Sequence, residues 1–349
     1  MKSAPRTSMA IRLTARVASC VTALLCAACA GPQDYMHGAS PGARDIASFG
    51  WWVLICFCAA AAVVWVVLAY IALRRDGGSF AVHAPAEEEK GRPWILIGGL
   101  GVPAAVFLAF FGLMFSPMKA SPTHRHADKP ADIRIIGRQW WFEAEYRGER
   151  PDLAVRVPTE LHIPVGKPVD VELESRDVIH SFWIPKLQGK VDLVPGRVNR
   201  VRLMADAPGV YRGECAEFCG VQHAHMRVEI VAETPARFEA WLDAQRAPAK
   251  TPSYEDELAA RGRDVFQSAA CALCHTIRGT PARGLVGPDL THLGSRAHIA
   301  GGSFDNNTAN LAAWIADAQS MKPGAQMPSL RQLSGADLRA LVSYLQSLR

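Results

Sequence analysis

Charge is scarce in this chain and unevenly placed. Asp, Glu, Lys and Arg make up 20% of its 349 residues, against 49% hydrophobic ones. That balance excludes disorder or low complexity over most of the length. Acidic residues are absent before Asp34, whereas Lys2, Arg6, Arg12 and Arg16 precede it. The formal net charge of +5 falls to about +1 without that stretch, so the basic excess carries no sign of nucleic-acid binding. Cysteine is sparse too. Nine residues, at positions 20, 26, 29, 56, 58, 215, 219, 271 and 274, are too few for a disulfide scaffold of this size, yet they fall into patterned groups. The length suits two or three domains of the usual ~100–200 residues.

The N-terminus reads as an export signal over residues 1–28. Basic residues from Lys2 to Arg16 are followed by an apolar run, Val17 to Ala30, of signal-peptide length and too short to cross a bilayer. Small residues before Cys29 resemble a bacterial lipoprotein cleavage box, which makes Cys29 the candidate lipidation site. Cys26 stands where such boxes carry an aliphatic residue, and ordinary cleavage or retention as an anchor are the alternatives. After an outward segment, 29–48, come two uncharged apolar runs, Phe49 to Leu73 and Pro93 to Phe115 (49–73 and 93–115). At ~1.5 Å per residue each exceeds the ~30 Å hydrocarbon core of a membrane. Arg74, Arg75, Lys90 and Arg92 in the intervening loop, 74–92, put it on the cytoplasmic side, with both chain ends outward. Trp51, Trp52 and Trp94 sit at span ends, as interfacial aromatics do. Cys56 and Cys58 read as small packing residues within the first span, and Glu87-Glu88-Glu89 as a solvated part of the loop.

Residues 116–130 form a polar, Pro-containing linker. Beyond it the pattern turns to short β-rich segments: Ile133 to Ile136, Val155 to Val157, Pro168 to Leu173, Arg197 to Met204 and Met226 to Val231, punctuated by Gly and Pro. This reads as an all-β sandwich or barrel over 131–235. A linker, 236–253, contains a short helix at Phe238 to Arg246. Helical periodicity then fills 254–349, with helices expected at Tyr254 to Ser268, Asn310 to Ala318 and Gly335 to Leu348, the last capped by Ser334.

Cys271-Ala272-Leu273-Cys274-His275 is the C-x-x-C-H pattern of covalent c-type haem attachment. Two thiols one helical turn apart can add to the two vinyl groups of one porphyrin, and the next residue then presents an imidazole to the iron. A zinc site would need two further Cys or His at matching spacing, and none follows. For the opposite axial position Met327, in Lys322-Pro323-Gly324-Ala325-Gln326-Met327-Pro328, is the first candidate and Met321 the second. With Gly287-Pro288-Asp289-Leu290, residues 254–349 resemble an all-α class I cytochrome c domain. The resemblance implies covalent haem on Cys271 and Cys274, axial His275 and Met327, and a Pro288 carbonyl that orients the His275 ring.

Cys215-Ala216-Glu217-Phe218-Cys219-Gly220-Val221-Gln222-His223-Ala224-His225-Met226 brings two thiols, an imidazole and a thioether into one loop. Soft sulfur with imidazole selects copper over hard cations. A blue-copper site needs one Cys; two can bridge a pair of copper ions, with His223 and Met226 as terminal ligands and one more His from elsewhere. His180, in Asp177-Val178-Ile179-His180-Ser181-Phe182-Trp183, is expected to end a strand and supply it. A Cys215–Cys219 disulfide is the competing reading, and His225 reads as a surface histidine.

Two spans, then Gly137-Arg138-Gln139-Trp140-Trp141-Phe142, then Asp177 to Trp183, then Cys215 to Met226: this order resembles subunit II of haem–copper cytochrome c oxidases. The added haem segment makes it similar to the fused caa3-type subunit. The resemblance implies a two-helix transmembrane hairpin, a cupredoxin sandwich and a binuclear copper A centre. In that centre Cys215 and Cys219 bridge, His180 and His223 are terminal, and Met226 and the Glu217 carbonyl are weak ligands. It implies magnesium reached by the Glu217 side chain at the border with subunit I, and Trp140 as the residue where electrons enter. Subunit I, subunit III, membrane lipid and a donor (a cytochrome c or a quinol:cytochrome c reductase) are the implied partners. The implied location is a bacterial inner membrane, multi-pass, with both metal domains periplasmic. Oxygen reduction would lie in another subunit, since no second histidine cluster suits it. A copper A subunit of a nitric oxide reductase and a free-standing membrane-anchored carrier or copper-delivery protein are the alternatives.

Overall fold

Each apolar run becomes a long helix. The computed structural model describes residues 31–73, 88–120, 130–148, 154–250 and 256–349; the leader, Cys29 and most of the loop between the spans lie outside them. The first run falls within α1 (Pro41–Leu73). The second is divided among α2 (Glu88–Leu96), a π-helical stretch (Ile97–Gly101) and α3 (Val102–Ala120). Both are long and apolar enough to cross a membrane, and neither is covered by the rest of the chain. Phe57, Trp65 and Phe107 are exposed, which suits hydrocarbon rather than water. Phe49 and Phe110 meet edge-on, ring centroids 6.3 Å apart, and so pair the two helices. α1 starts earlier than the uncharged run because Ser40 caps it: its hydroxyl accepts from the Ala43 N–H at 3.0 Å. The same hydroxyl donates to the Leu187 carbonyl, tying the helix to the domain that follows.

That domain is a sandwich of two five-stranded sheets. One has the order β3-β2-β1-β5-β8, from β1 (Ile133–Arg138), β2 (Trp141–Tyr146), β3 (Val155–Pro158), β5 (Val169–Ser175) and β8 (Asn199–Leu203). The other has the order β4-β10-β9-β6-β7, from β4 (Glu160–Pro164), β6 (His180–Trp183), β7 (Val191–Leu193), β9 (Gly209–Cys215) and β10 (Arg227–Glu233). β1 pairs in parallel with β5, and β4 with β10. Alternation along β5 shows why the segment is a strand. Val169, Val171 and Leu173 point into the core, while Asp170 and Glu172 lie opposite Arg202 and Arg200 of β8 and bind them at 2.8 and 2.7 Å. Between the sheets, Phe142 and Phe182 pack edge-on with centroids 5.7 Å apart.

Strands β2, β4, β6, β7 and β9 lie outside the segments expected from sequence. In β2, Phe142, Glu143 and Ala144 are all buried, so the two-residue period is lost. His180 was expected to end a strand; it begins β6 instead. The helix α4 (Pro235–Arg246) closes the end of the sandwich, with Trp241 stacked on the His162 ring at 3.9 Å.

The C-terminal domain is helical: α5 (Glu257–Ser268), the single turn α6 (Cys271–Cys274), α7 (Thr308–Met321) and α8 (Gly335–Ser347), with a small hairpin of β11 (His298–Ile299) and β12 (Phe304–Asp305). α5 packs on α8 through Phe266 and Tyr344, centroids 6.0 Å apart. Ser334 caps α8 as expected, its hydroxyl accepting from the Asp337 N–H at 3.1 Å.

Candidate metal centre

The loop that joins β9 to β10 is pinned at its base, where the Cys215 N–H donates to the Met226 carbonyl at 2.9 Å. A second tie, Ala216 N–H to the Ser181 carbonyl at 3.0 Å, holds it against β6. β6 thereby delivers His180 from the neighbouring strand. Ligand atoms of His180, Cys215 and Cys219 all lie within 4.8 Å of one another, and all three residues are buried. The Cys215 and Cys219 sulfurs are 3.7 Å apart and unbonded, far beyond the ~2.05 Å of a disulfide. His180 Nδ1 lies 3.9 Å from the Cys215 sulfur, and His223 Nδ1 lies 3.6 Å from the Cys219 sulfur. The Met226 sulfur, fully buried, is 3.9 Å from Cys219. The Glu217 carbonyl faces the Cys215 sulfur at 3.3 Å. Two sulfurs, each with its own imidazole and flanked by a thioether and a carbonyl, fit the donor set that soft copper prefers.

Electrostatics agrees with a thiolate site. Two thiols this close share one proton easily and lose both with difficulty, which holds Cys215 well below the ordinary thiol range and Cys219 above it. Burial opposes charge on His180, but Asp177 and the Cys215 sulfur outweigh it and raise the imidazole. The His180 Nε2 donates to the Asp177 carboxylate at 2.8 Å. This fixes the ring so that Nδ1 faces the sulfurs, the usual second partner of a metal-binding imidazole. His225 stays out of the cluster; its Nδ1 bonds the Gln222 side chain at 2.7 Å.

The haem-type motif lies beside a cavity of about 580 Å³. Cys271, Cys274, His275 and Met327 line it, and Met321 does not. The His275 Nδ1 donates to the Pro288 carbonyl at 2.9 Å, leaving Nε2 for a metal. Burial lowers the His275 pKa, partly offset by that bond, and so favours the neutral ring a metal needs. At Gly287 a Cβ would come within 2.6 Å of the His275 ring, so only glycine lets the ring sit there. The Gln319 amide donates to the Met327 and Ala325 carbonyls at 2.8 and 2.6 Å and fixes the methionine loop. Apolar walls, two thiols on one turn, and a His and a Met lining the same cavity fit a covalently held porphyrin.

Trp140 stands between the two sites. It is buried, its indole N–H donates to the Cys219 carbonyl at 3.0 Å, and the residue also lines the 580 Å³ cavity.

The cytochrome C oxidase subunit II, periplasmic domain family matches residues 150–234, and the cytochrome c family matches residues 259–349. Cytochrome c oxidase subunit 2 of Alkalihalophilus pseudofirmus is 38% identical over 257 residues, covering 74% of this chain and 71% of the relative. The chain belongs to the cytochrome c oxidase subunit II family. The homologous subunit of a Bacillus species, strain PS3, is 33% identical over 267 residues, covering 74% of this chain and 72% of its own. The solved periplasmic domain of subunit II of cytochrome oxidase from Bradyrhizobium japonicum is 27% identical, over 34% of this chain and 96% of that one, with a TM-score of 0.31.

Several residues of this oxidase subunit's site escaped sequence reasoning. Asp177 was legible only as a neighbour of His180, three residues away. Gln139 donates to the Cys219 carbonyl at 2.7 Å, alongside Trp140. Arg296 lines the haem-type cavity, where burial draws its guanidinium down to about 10; a cation there suits a ligand bearing carboxylates. Lys322 is buried where the two domains meet. Gln139, Asp177 and Lys322 lie inside segments already singled out for Trp140, His180 and Met327, but their own roles depend on which groups the fold brings to them, and Arg296 lies in no such segment.

Proposed function

We propose that this subunit, through which electrons enter a haem–copper oxidase, holds two copper ions on the loop between β9 and β10 and one haem in its C-terminal cavity. The single observation that carries the copper reading is the pair of free thiols 3.7 Å apart, each beside its own imidazole. In this reading Cys215 and Cys219 bridge, His180 and His223 are terminal, and Met226 and the Glu217 carbonyl complete the site. Cys271 and Cys274 anchor the haem, with His275 and Met327 axial and Pro288 orienting the histidine. Metals so held supply one-electron transfer with no open position for oxygen.

The chain's own residues do the rest. Asp177 keeps His180 in one tautomer. Trp140 bridges the cavity and the copper loop. Glu217, with its carboxylate 3.7 Å from Lys190, offers an oxygen to magnesium at the border with subunit I. The two spans seat the subunit in the inner membrane beside subunits I and III, with the metal domains periplasmic. The shared name of the relatives does not favour the nitric oxide reductase or free-carrier alternatives.

The test is metal and haem quantitation with electron paramagnetic resonance on the purified full-length chain. Two copper ions sharing one unpaired electron, and one haem resistant to extraction, are expected. A single copper, or a cystine at 215–219, would overturn the copper reading.

A further inference from the structure

Lys322 is 3% exposed, at the end of α7. Among the described residues no carboxylate lies within ion-pair distance of it. Instead its Nζ donates to three carbonyls, Trp140 at 2.9 Å and His225 at 2.8 Å from the copper domain and Ala300 at 2.8 Å from the haem domain, with the Ser303 hydroxyl a longer fourth contact at 3.4 Å. Burial draws its pKa down to about 7, while three acceptors match the three N–H bonds of the charged form. A buried ammonium with only neutral partners is costly unless every N–H is satisfied. Two of the three acceptors belong to the other domain, so the site is complete only when the domains are docked.

The surroundings repeat the pattern. Gln222 donates to the Pro323 carbonyl at 2.9 Å, and the Arg227 N–H donates to the Gly301 carbonyl at 3.0 Å. His298 meets Glu229 at 3.0 Å. A Cβ at Gly301 would lie 2.3 Å from the Trp140 carbonyl, so the haem domain's backbone presses directly on Trp140. As a result Trp140 and Trp141, from the copper domain, form part of the wall of the haem-type cavity.

We propose that Lys322 is a positioning residue that latches the haem domain onto Trp140, so that a separate donor protein has no access to Trp140 and must deliver its electron to the haem domain. The proposal rests on Trp140 being where electrons enter the copper loop. It names the residue that decides which protein touches that tryptophan.

The first measurement needs no variant. In the full-length chain loaded with copper and haem, acetic anhydride labels lysines, and mass spectrometry follows each one. Lys322 should be acetylated at least about tenfold more slowly than exposed Lys250; equal rates would mean the latch is open in solution and would overturn the proposal. The second uses Lys322→Met and Lys322→Gln, accepted as folded when the haem band and copper resonance match the wild type. After photoreduction of the haem, electron arrival at copper should slow by about tenfold or more in Lys322→Met, with Lys322→Gln, which keeps two donors, in between. Direct reduction of copper by a soluble c-type cytochrome, negligible in the wild type, should emerge in both. An unchanged internal rate in a folded variant would overturn the latch. Trp140→Phe in parallel separates the two ideas: if it too leaves the internal rate untouched, the role of Trp140 fails; if it alone slows transfer, only the latch fails.

Discussion

The indole N–H of Trp140 donates to the carbonyl of Cys219 at 3.0 Å. A residue on the wall of one candidate site is thus bonded directly to the backbone of a candidate ligand in the other. The Gln139 amide reaches the same oxygen at 2.7 Å, so the acceptor keeps a partner if the indole is lost. Trp140→Phe should therefore fold, with a stability loss of about 1 kcal/mol for one hydrogen bond. It should slow copper reduction while leaving the copper resonance in place. Denaturant titration and stopped-flow reduction check the two halves.

Cys219→Ser should abolish the near-infrared absorption of the copper site and leave the haem spectrum as it was. Serine keeps the volume but replaces a soft sulfur with a hard oxygen. An unchanged copper signal would refute the bridging role.

Asp177→Ala should weaken copper binding by about 10–100-fold, the usual cost of removing the partner that orients a metal-binding histidine. The Asp177 carboxylate also accepts from the Gln139 N–H at 2.7 Å, so the Trp140 loop should loosen too. Competition with a chelator of known affinity measures the first effect. Affinity equal to wild type would show that His180 needs no such support.

Met327→Ala should open the haem to carbon monoxide in the reduced form, because Met327 is the thioether on the cavity wall. A reduced spectrum indifferent to carbon monoxide would transfer the axial role to another side chain.

Tyr146→Phe tests the sandwich apart from its metal. The hydroxyl donates to the His162 carbonyl at 2.8 Å and accepts from the His162 N–H at 2.6 Å, all buried. Its loss leaves two buried backbone groups without partners, costing about 1–3 kcal/mol. Thermal unfolding should report that loss with both metal spectra unchanged in the folded state.

The features legible in the amino-acid order are those that depend on short spacing. The uncharged runs announce two helices long and apolar enough to cross a membrane, because hydrocarbon tolerates no charge over that length. C-x-x-C-H and the Cys215 to Met226 loop announce their chemistry because their donor atoms are a few residues apart. Ser334 announces a helix start for the same reason. Strands such as β2 and β6 stayed hidden because they are buried on both faces or only four residues long, and a strand's identity lies in its neighbours. The tertiary fold alone set His180 beside Cys215, 35 residues away, and fixed its ring through Asp177. It alone carried Lys322 across 182 residues to the Trp140 carbonyl, and it placed Met327, already the first candidate from sequence, on the cavity wall. Contacts of that range are made by packing, not by local conformational preference, so a linear pattern can name a residue such as His180 but not the geometry that holds it.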